Sequence, residues 1–160
     1  MTRAYVALGS NLEHPAKQIR AAFAALATLR ATRLIRASSL YQTTPVGFSD
    51  QPDFINAVAE LDTELAPLAL LRSLLDLEAD FGRARSFRNA PRVLDLDLLW
   101  YQGVSMTEPQ LILPHPRMHQ RAFVLIPLSE IAADLELSAL GSVAELVARL
   151  DTAGVVRVTD

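Results

Sequence analysis

The sequence contains no cysteine. Disulfides, thiolate nucleophiles and cysteine-built zinc or iron–sulfur sites are thereby excluded. Lysine is nearly missing as well, since Lys17 is the only one among the 15 basic residues. The bias itself carries no argument; the message lies in where the arginines fall. Long apolar runs are absent: the longest are a few residues, far below the roughly 20 needed to cross a bilayer. Met1-Thr2-Arg3 followed by Ala4 to Leu8 lacks the longer apolar segment of a secretory signal. A cytoplasmic protein without a membrane partner is the expectation. Positive charge is not in excess, and a net charge of −3 speaks against a general nucleic-acid binder. With no repeat, low-complexity tract or linker, the 160 residues are expected to form one domain, 1–160.

What is present reads as alternating strands and helices. Ala4 to Leu8 is a short buried strand ending at a turn, Gly9-Ser10-Asn11. Pro15 suits a first helical turn, and Ile19, Phe23, Leu26 and Arg30 follow at helical spacing. A strand is predicted from Arg33 to Gln42, then a loop over Thr43 to Pro52, then a strand from Phe54 to Leu61. Pro67 opens a second helix with Leu68, Leu71, Leu74, Leu75, Glu78 and Phe81 on its stripe. Gly82 suits its C-cap through its tolerance of a left-handed conformation. An irregular stretch from Arg83 to Arg92 precedes a strongly apolar strand, Val93 to Tyr101. Beyond it come a short strand at Leu111 to Leu113 and a helix around Pro127. A capping box at Ser142 and Glu145 starts a last helix through Leu150, and Val155 to Val158 is a closing strand. This order predicts an α+β fold: a ferredoxin-like βαββαβ core, an antiparallel sheet with helices on one face, plus C-terminal additions.

The sharpest local signal interrupts the apolar strand. Side chains alternate along a strand, so Asp95 and Asp97 share one face while Leu94, Leu96 and Leu98 share the other. Two residues of rise set the two backbones about 7 Å apart. Magnesium takes oxygen ligands, often one or two carboxylates plus substrate phosphates. Two such ions lie about 3.5–4 Å apart in two-metal phosphoryl-transfer sites, a spacing this pair can serve. A solvated acidic face is the competing reading of the same pattern. The preceding stretch adds weight to the metal, because Arg83, Arg85, Arg88 and Arg92 lie there with no acid among them. Guanidinium forks suit phosphate oxygens, although Arg83 and Arg85 could instead pair with Asp80 and Glu78. A cationic loop running into an anionic strand fits a metal–polyphosphate complex. Downstream, His115 sits between two prolines and can donate to a phosphate. Pro116 opposes the helix that would let His115 and His119 share a metal.

Several segments together resemble a known family, the 6-hydroxymethyl-7,8-dihydropterin pyrophosphokinases of folate synthesis. They are Gly9-Ser10-Asn11-Leu12, Tyr41-Gln42-Thr43-Thr44-Pro45, Gln51 to Ala57, Gly82-Arg83-Ala84-Arg85, Pro91-Arg92-Val93-Leu94-Asp95-Leu96-Asp97, and Pro114 to Phe123. The similarity covers most of the chain and thins beyond about Ile131. It implies attack by the pterin's hydroxymethyl oxygen on the β-phosphorus of ATP, giving AMP and the pterin diphosphate. It implies two magnesium ions on Asp95 and Asp97, with Arg83 and Arg92 also catalytic. Glu78, Arg85, Arg88, Leu98, His115 and Arg121 would serve ATP. Thr43, Pro45, Val46, Phe54, Asn56 and Phe123 would surround the pterin. A monomer acting on these two small molecules is expected.

Local chemistry agrees. Phe54 and Asn56 share a strand face by alternation. A flat heterocycle needs aromatic surface and a few polar groups that read its edge, although, the family resemblance aside, core packing is the more ordinary use of Phe54 and Phe123. Two departures from the family pattern stand out. Asn89-Ala90 follow Arg88 where many relatives carry a tryptophan, and Pro116 stands where an aromatic residue is frequent. A palm-like nucleotidyl transferase or cyclase is a competing enzyme reading. A ferredoxin-like RNA-binding or small-molecule-sensing module is a non-enzymatic one, but its RNA form needs aromatics on a basic sheet. A catalytically impaired relative that binds both ligands is a third.

Overall fold

The computed structural model describes residues 1–11, 14–43, 53–82 and 94–158. In an antiparallel sheet, strand β1 (Thr2–Ser10) lies between β4 (Phe54–Thr63) and β5 (Asp95–Tyr101), with β5 at one edge. The order across it is β5-β1-β4-β3-β8, with β3 at Tyr41–Thr43, β8 at Val155–Arg157, and β2 (Thr32–Ala37) also pairing with β4. Helix α1 (Pro15–Leu26) connects β1 to β2, and α2 (Pro67–Phe81) connects β4 to β5. This is the expected ferredoxin-like core.

Ile19, Ala22 and Leu26 of α1 and Leu70, Leu74 and Leu77 of α2 pack on one sheet face. There they meet Val6 and Leu8 of β1, Ala57 and Leu61 of β4, and Leu96 and Leu98 of β5. The opposite face is covered by the C-terminal additions. Helix α3 (Ala122–Ala132) supplies Val124, Leu125, Leu128 and Ile131, and α4 (Val143–Ala148) supplies Val143 and Leu146, against Tyr5, Ala7, Val58 and Leu99. Being apolar on nearly every side, α3 suits a position between the sheet and α4. A small hairpin of β6 (Met106–Thr107) and β7 (Ile112–Leu113) precedes α3. No helix among the described residues is long and apolar enough to cross a membrane.

Four local expectations change. The strand predicted at Arg33 to Gln42 is broken into β2 and β3, because at the break the Val58 N–H donates to the Ser38 hydroxyl at 2.9 Å. The Ser38 N–H still donates to the Val58 carbonyl, so a side chain replaces one rung of the ladder. The turn expected at Gly9-Ser10 is strand, since both pair with β4 and cross-strand bonds override local turn preference. Helix α1 stops at Leu26 rather than near Arg30; Thr28 turns its hydroxyl back to the Ala25 carbonyl and Ala31 takes a positive φ of 53°. Gly82 does cap α2, but at φ −94° rather than in a left-handed conformation.

Candidate active site

At the end of the sheet where β1 finishes and β4 and β5 begin, a cavity of about 350 Å³ opens beside the start of α3. Its wall from β5 is Asp95 and Asp97, opposite Gly9 and Ala7 of β1. Leu96 and Leu98 are buried beneath the other sheet face. Burial of each is worth about 1.5–3 kcal/mol. A one-residue slip would forfeit that and drive two carboxylates into the core, so packing holds the acids outward.

Phe54 and Asn56 line the same cavity from β4, Thr43 from β3, and Arg121, Phe123 and Val124 from the start of α3. The Asn56 Nδ2 donates to the Thr43 hydroxyl at 3.0 Å. That bond leaves the Asn56 Oδ1 as an acceptor, and Oδ1 lies over Gly9, where a β-carbon would come within 3.1 Å of it. The missing side chain of Gly9 therefore gives the amide its room. The Arg121 guanidinium carbon sits 5.7 Å from the centre of the Phe123 ring, within cation–π range. Expected as a nucleotide ligand, Arg121 borders this first cavity.

A second cavity, about 310 Å³, lies on the other side of Asp97. Leu71, Leu75 and Glu78 of α2, Leu98 of β5, Leu111 and Ile112 near the hairpin, and His115 line it. Glu78 is buried, and its carboxylate accepts the Leu96 N–H at 2.6 Å, tying α2 to the strand that carries both aspartates. The His115 N–H donates to the Leu99 carbonyl at 2.8 Å, which seats the segment against β5. Burial lowers the His115 pKa below its ordinary value; the charge of Asp97 opposes this, while Arg121 and Arg117 add to it. The ring is thus neutral near pH 7. Its Nδ1 accepts the Arg117 N–H at 3.1 Å, so the proton resides on Nε2 as a donor.

Asp97 borders both cavities. Among the described residues it makes no hydrogen bond or ion pair, and its carboxylate is exposed. No group of three or more potential metal-ligating side chains occurs among the described residues; Asp95 and Asp97 face the first cavity together, and Asp97 and Glu78 line the second. Exposed carboxylate oxygens with few protein partners suit a cation that keeps waters and substrate oxygens in its shell. Arg83, Arg85, Arg88, Arg92, Pro45 and Val46 lie outside the described residues. Sequence reasoning missed Gly9, Leu71 and Ile112 as cavity walls; only Gly9 carried a signal, inside the motif read as a turn.

The model of the family described as 7,8-dihydro-6-hydroxymethylpterin-pyrophosphokinase matches residues 5–133. The chain is 47% identical over 147 residues to the 2-amino-4-hydroxy-6-hydroxymethyldihydropteridine pyrophosphokinase of Haemophilus influenzae, covering 92% of both chains. To the enzyme of the same name from Pseudomonas aeruginosa it is 48% identical over 155 residues, covering 97% of this chain and 96% of that one. Among solved structures, Plasmodium falciparum HPPK-DHPS superposes with a TM-score of 0.71 at 14% identity, which is evidence for the fold. That match covers 93% of this chain and 43% of the longer Plasmodium chain. Fold, site and similarity converge, and the chain belongs to the 7,8-dihydro-6-hydroxymethylpterin-pyrophosphokinase family.

Proposed function

We propose that the protein uses ATP and magnesium to transfer pyrophosphate to the hydroxymethyl group of 6-hydroxymethyl-7,8-dihydropterin, with AMP as the second product. Pyrophosphate transfer to the pterin in folate synthesis is the family's activity. The observation that carries the finer reading is the position of Asp97 between two differently built cavities.

The first suits the pterin. Phe54 and Phe123 offer ring faces for stacking, and the Asn56 Oδ1 accepts from the N–H edge of the heterocycle. The second suits the nucleotide: Leu71, Leu75, Leu98 and Ile112 give apolar walls for a base, and the neutral His115 donates from Nε2. Pro116 forms part of that wall where relatives often have an aromatic residue, so the base meets a smaller, flat apolar surface. Asp95 and Asp97 would hold the two magnesium ions, whose charge offsets that of the triphosphate. Arg83, Arg85, Arg88 and Arg92 would neutralise the remaining phosphate charge. Arg121, which lines the first cavity together with both aspartates, would meet the transferred group. Catalysis in this arrangement is positioning and charge neutralisation.

Product analysis tests this directly. Protein, magnesium, ATP and hydroxymethyl-dihydropterin are mixed and the nucleotides separated. AMP formation that stops on chelation of the metal is expected; ADP, or turnover unaffected by chelation, would overturn the reading.

A further inference from the structure

Away from the reacting groups, one carboxylate gathers an unusual set of donors. Glu130 lies in the last turn of α3 and is exposed to solvent. It accepts the Tyr41 hydroxyl at 2.7 Å, the Ser39 N–H at 3.0 and 3.1 Å through its two oxygens, and the Ser39 hydroxyl at 3.0 Å. Ser39 is in the break between β2 and β3, and Tyr41 begins β3. One side chain of α3 thus holds both the approach to β3 and the strand itself.

That strand is short. It is three residues long and pairs with β4 on one side and with the equally short β8 on the other. Its last residue is Thr43, whose hydroxyl receives the Asn56 amide. At the far end of α3 stands Phe123, which lines the first cavity with Thr43 and Asn56. Packing of Val124, Leu125, Leu128 and Ile131 seats α3 on β1, β4 and β5, and Arg36 donates to the Ile131 carbonyl at 3.2 Å. Glu130 adds the polar junction to β3, the strand that carries Thr43, and so bears on the spacing between Phe123 and the Thr43–Asn56 pair. We propose that Glu130 is a positioning residue for pterin recognition: bound to Ser39 and Tyr41, it fixes the separation of the edge-reading Asn56 from the stacking Phe123. The proposal rests on the reading of the first cavity as the pterin site.

The chemistry of the junction supports a defined geometry. A carboxylate can accept from several donors at once, whereas a carboxamide of the same shape has one acceptor oxygen and two N–H groups that face other donors. Glu130→Gln keeps the volume and disrupts the set. Tyr41→Phe removes a single donor.

Steady-state kinetics on the full chain, with thermal melting as the control for folding, tests the proposal. Glu130→Gln and Tyr41→Phe should each raise KM for the pterin about five- to tenfold, the scale of a hydrogen bond or two made in poor geometry. KM for ATP and kcat should stay within about twofold. The double variant should lose no more than the worse single one, since both break the same junction. Asn56→Ala serves as the reference. If it raises the pterin KM while Glu130→Gln leaves it unmoved, the proposal fails and the pterin site stands. If Asn56→Ala has no effect either, the site reading fails and the proposal falls with it. Equal loss in every parameter, tracking the fall in melting temperature, would show a structural role alone and also overturn it. Should Glu130→Gln not fold, Tyr41→Phe carries the same outcomes.

Discussion

Gly9→Ala separates what the site needs from what the fold needs. On β1 the glycine backbone is ordinary strand, paired with Asn56 and Asp95, so alanine meets no forbidden dihedral. Alanine lowers the entropy lost on folding, a gain of about 0.5–1 kcal/mol in a strand. Against that, its β-carbon would stand 3.1 Å from the Asn56 Oδ1, a few tenths of an ångström inside ordinary contact. The Asn56 side chain must yield, since the β1–β4 ladder runs through both residues and resists displacement. These effects nearly cancel for folding, so the melting temperature should stay within about 3 °C, the shift that 1 kcal/mol gives in a chain of this size. Recognition has no such compensation. Asn56 can yield only by stretching its 3.0 Å bond to Thr43 or by turning its Oδ1 off the ligand edge. One misdirected hydrogen bond and one unsatisfied polar group cost about 1–3 kcal/mol, or roughly five- to 150-fold in affinity. The assay is equilibrium binding of the pterin in the presence of a non-hydrolysable ATP analogue, beside a melting curve. An intact melting temperature with pterin affinity within about twofold of the parent would refute the argument that bare space above Gly9 positions Asn56.

Three further outcomes follow from the same geometry. Asp97→Ala should cut turnover about a hundred- to a thousandfold, as when a main electrostatic partner of the transition state is removed; because Asp97 is exposed and makes no hydrogen bond or ion pair among the described residues, its melting temperature should not fall. Near-normal magnesium-dependent turnover would contradict the site. Glu78→Ala should destabilise by about 1–3 kcal/mol in denaturant unfolding, because it orphans the buried Leu96 N–H. NMR titration of the metal-free protein should find His115 titrating below its ordinary 6.5, and lower still in Asp97→Asn, which removes the charge opposing the shift. Since its folded pKa is depressed, the linked stability is fully present above pH 6.5 and is lost as pH falls through the folded pKa.

Much of the site was readable before any coordinates. Alternation alone put Asp95 with Asp97 and Phe54 with Asn56, because a strand has a period of two whatever surrounds it. The α+β order of elements followed from apolar spacing and from the prolines at the helix starts. The break at Ser38 was not readable, because a serine hydroxyl replaces a carbonyl only when a partner N–H arrives from residue 58. Nor was the strand character of Gly9 and Ser10, which depends on bonds to β4 rather than on their own preference.

The sequence by itself determined the chemistry on offer: paired carboxylates, clustered arginines, aromatic and amide side chains on one strand face, and no thiol. Tertiary structure alone decided the arrangement. It placed Asp97 on the border of two cavities, brought Phe123 of α3 and Asn56 of β4 to one cavity, and gathered Ser39 and Tyr41 on Glu130. The division is physical. Periodicity and residue type act within a few positions along the chain, whereas cavities arise from strand register and helix seating between residues far apart in it.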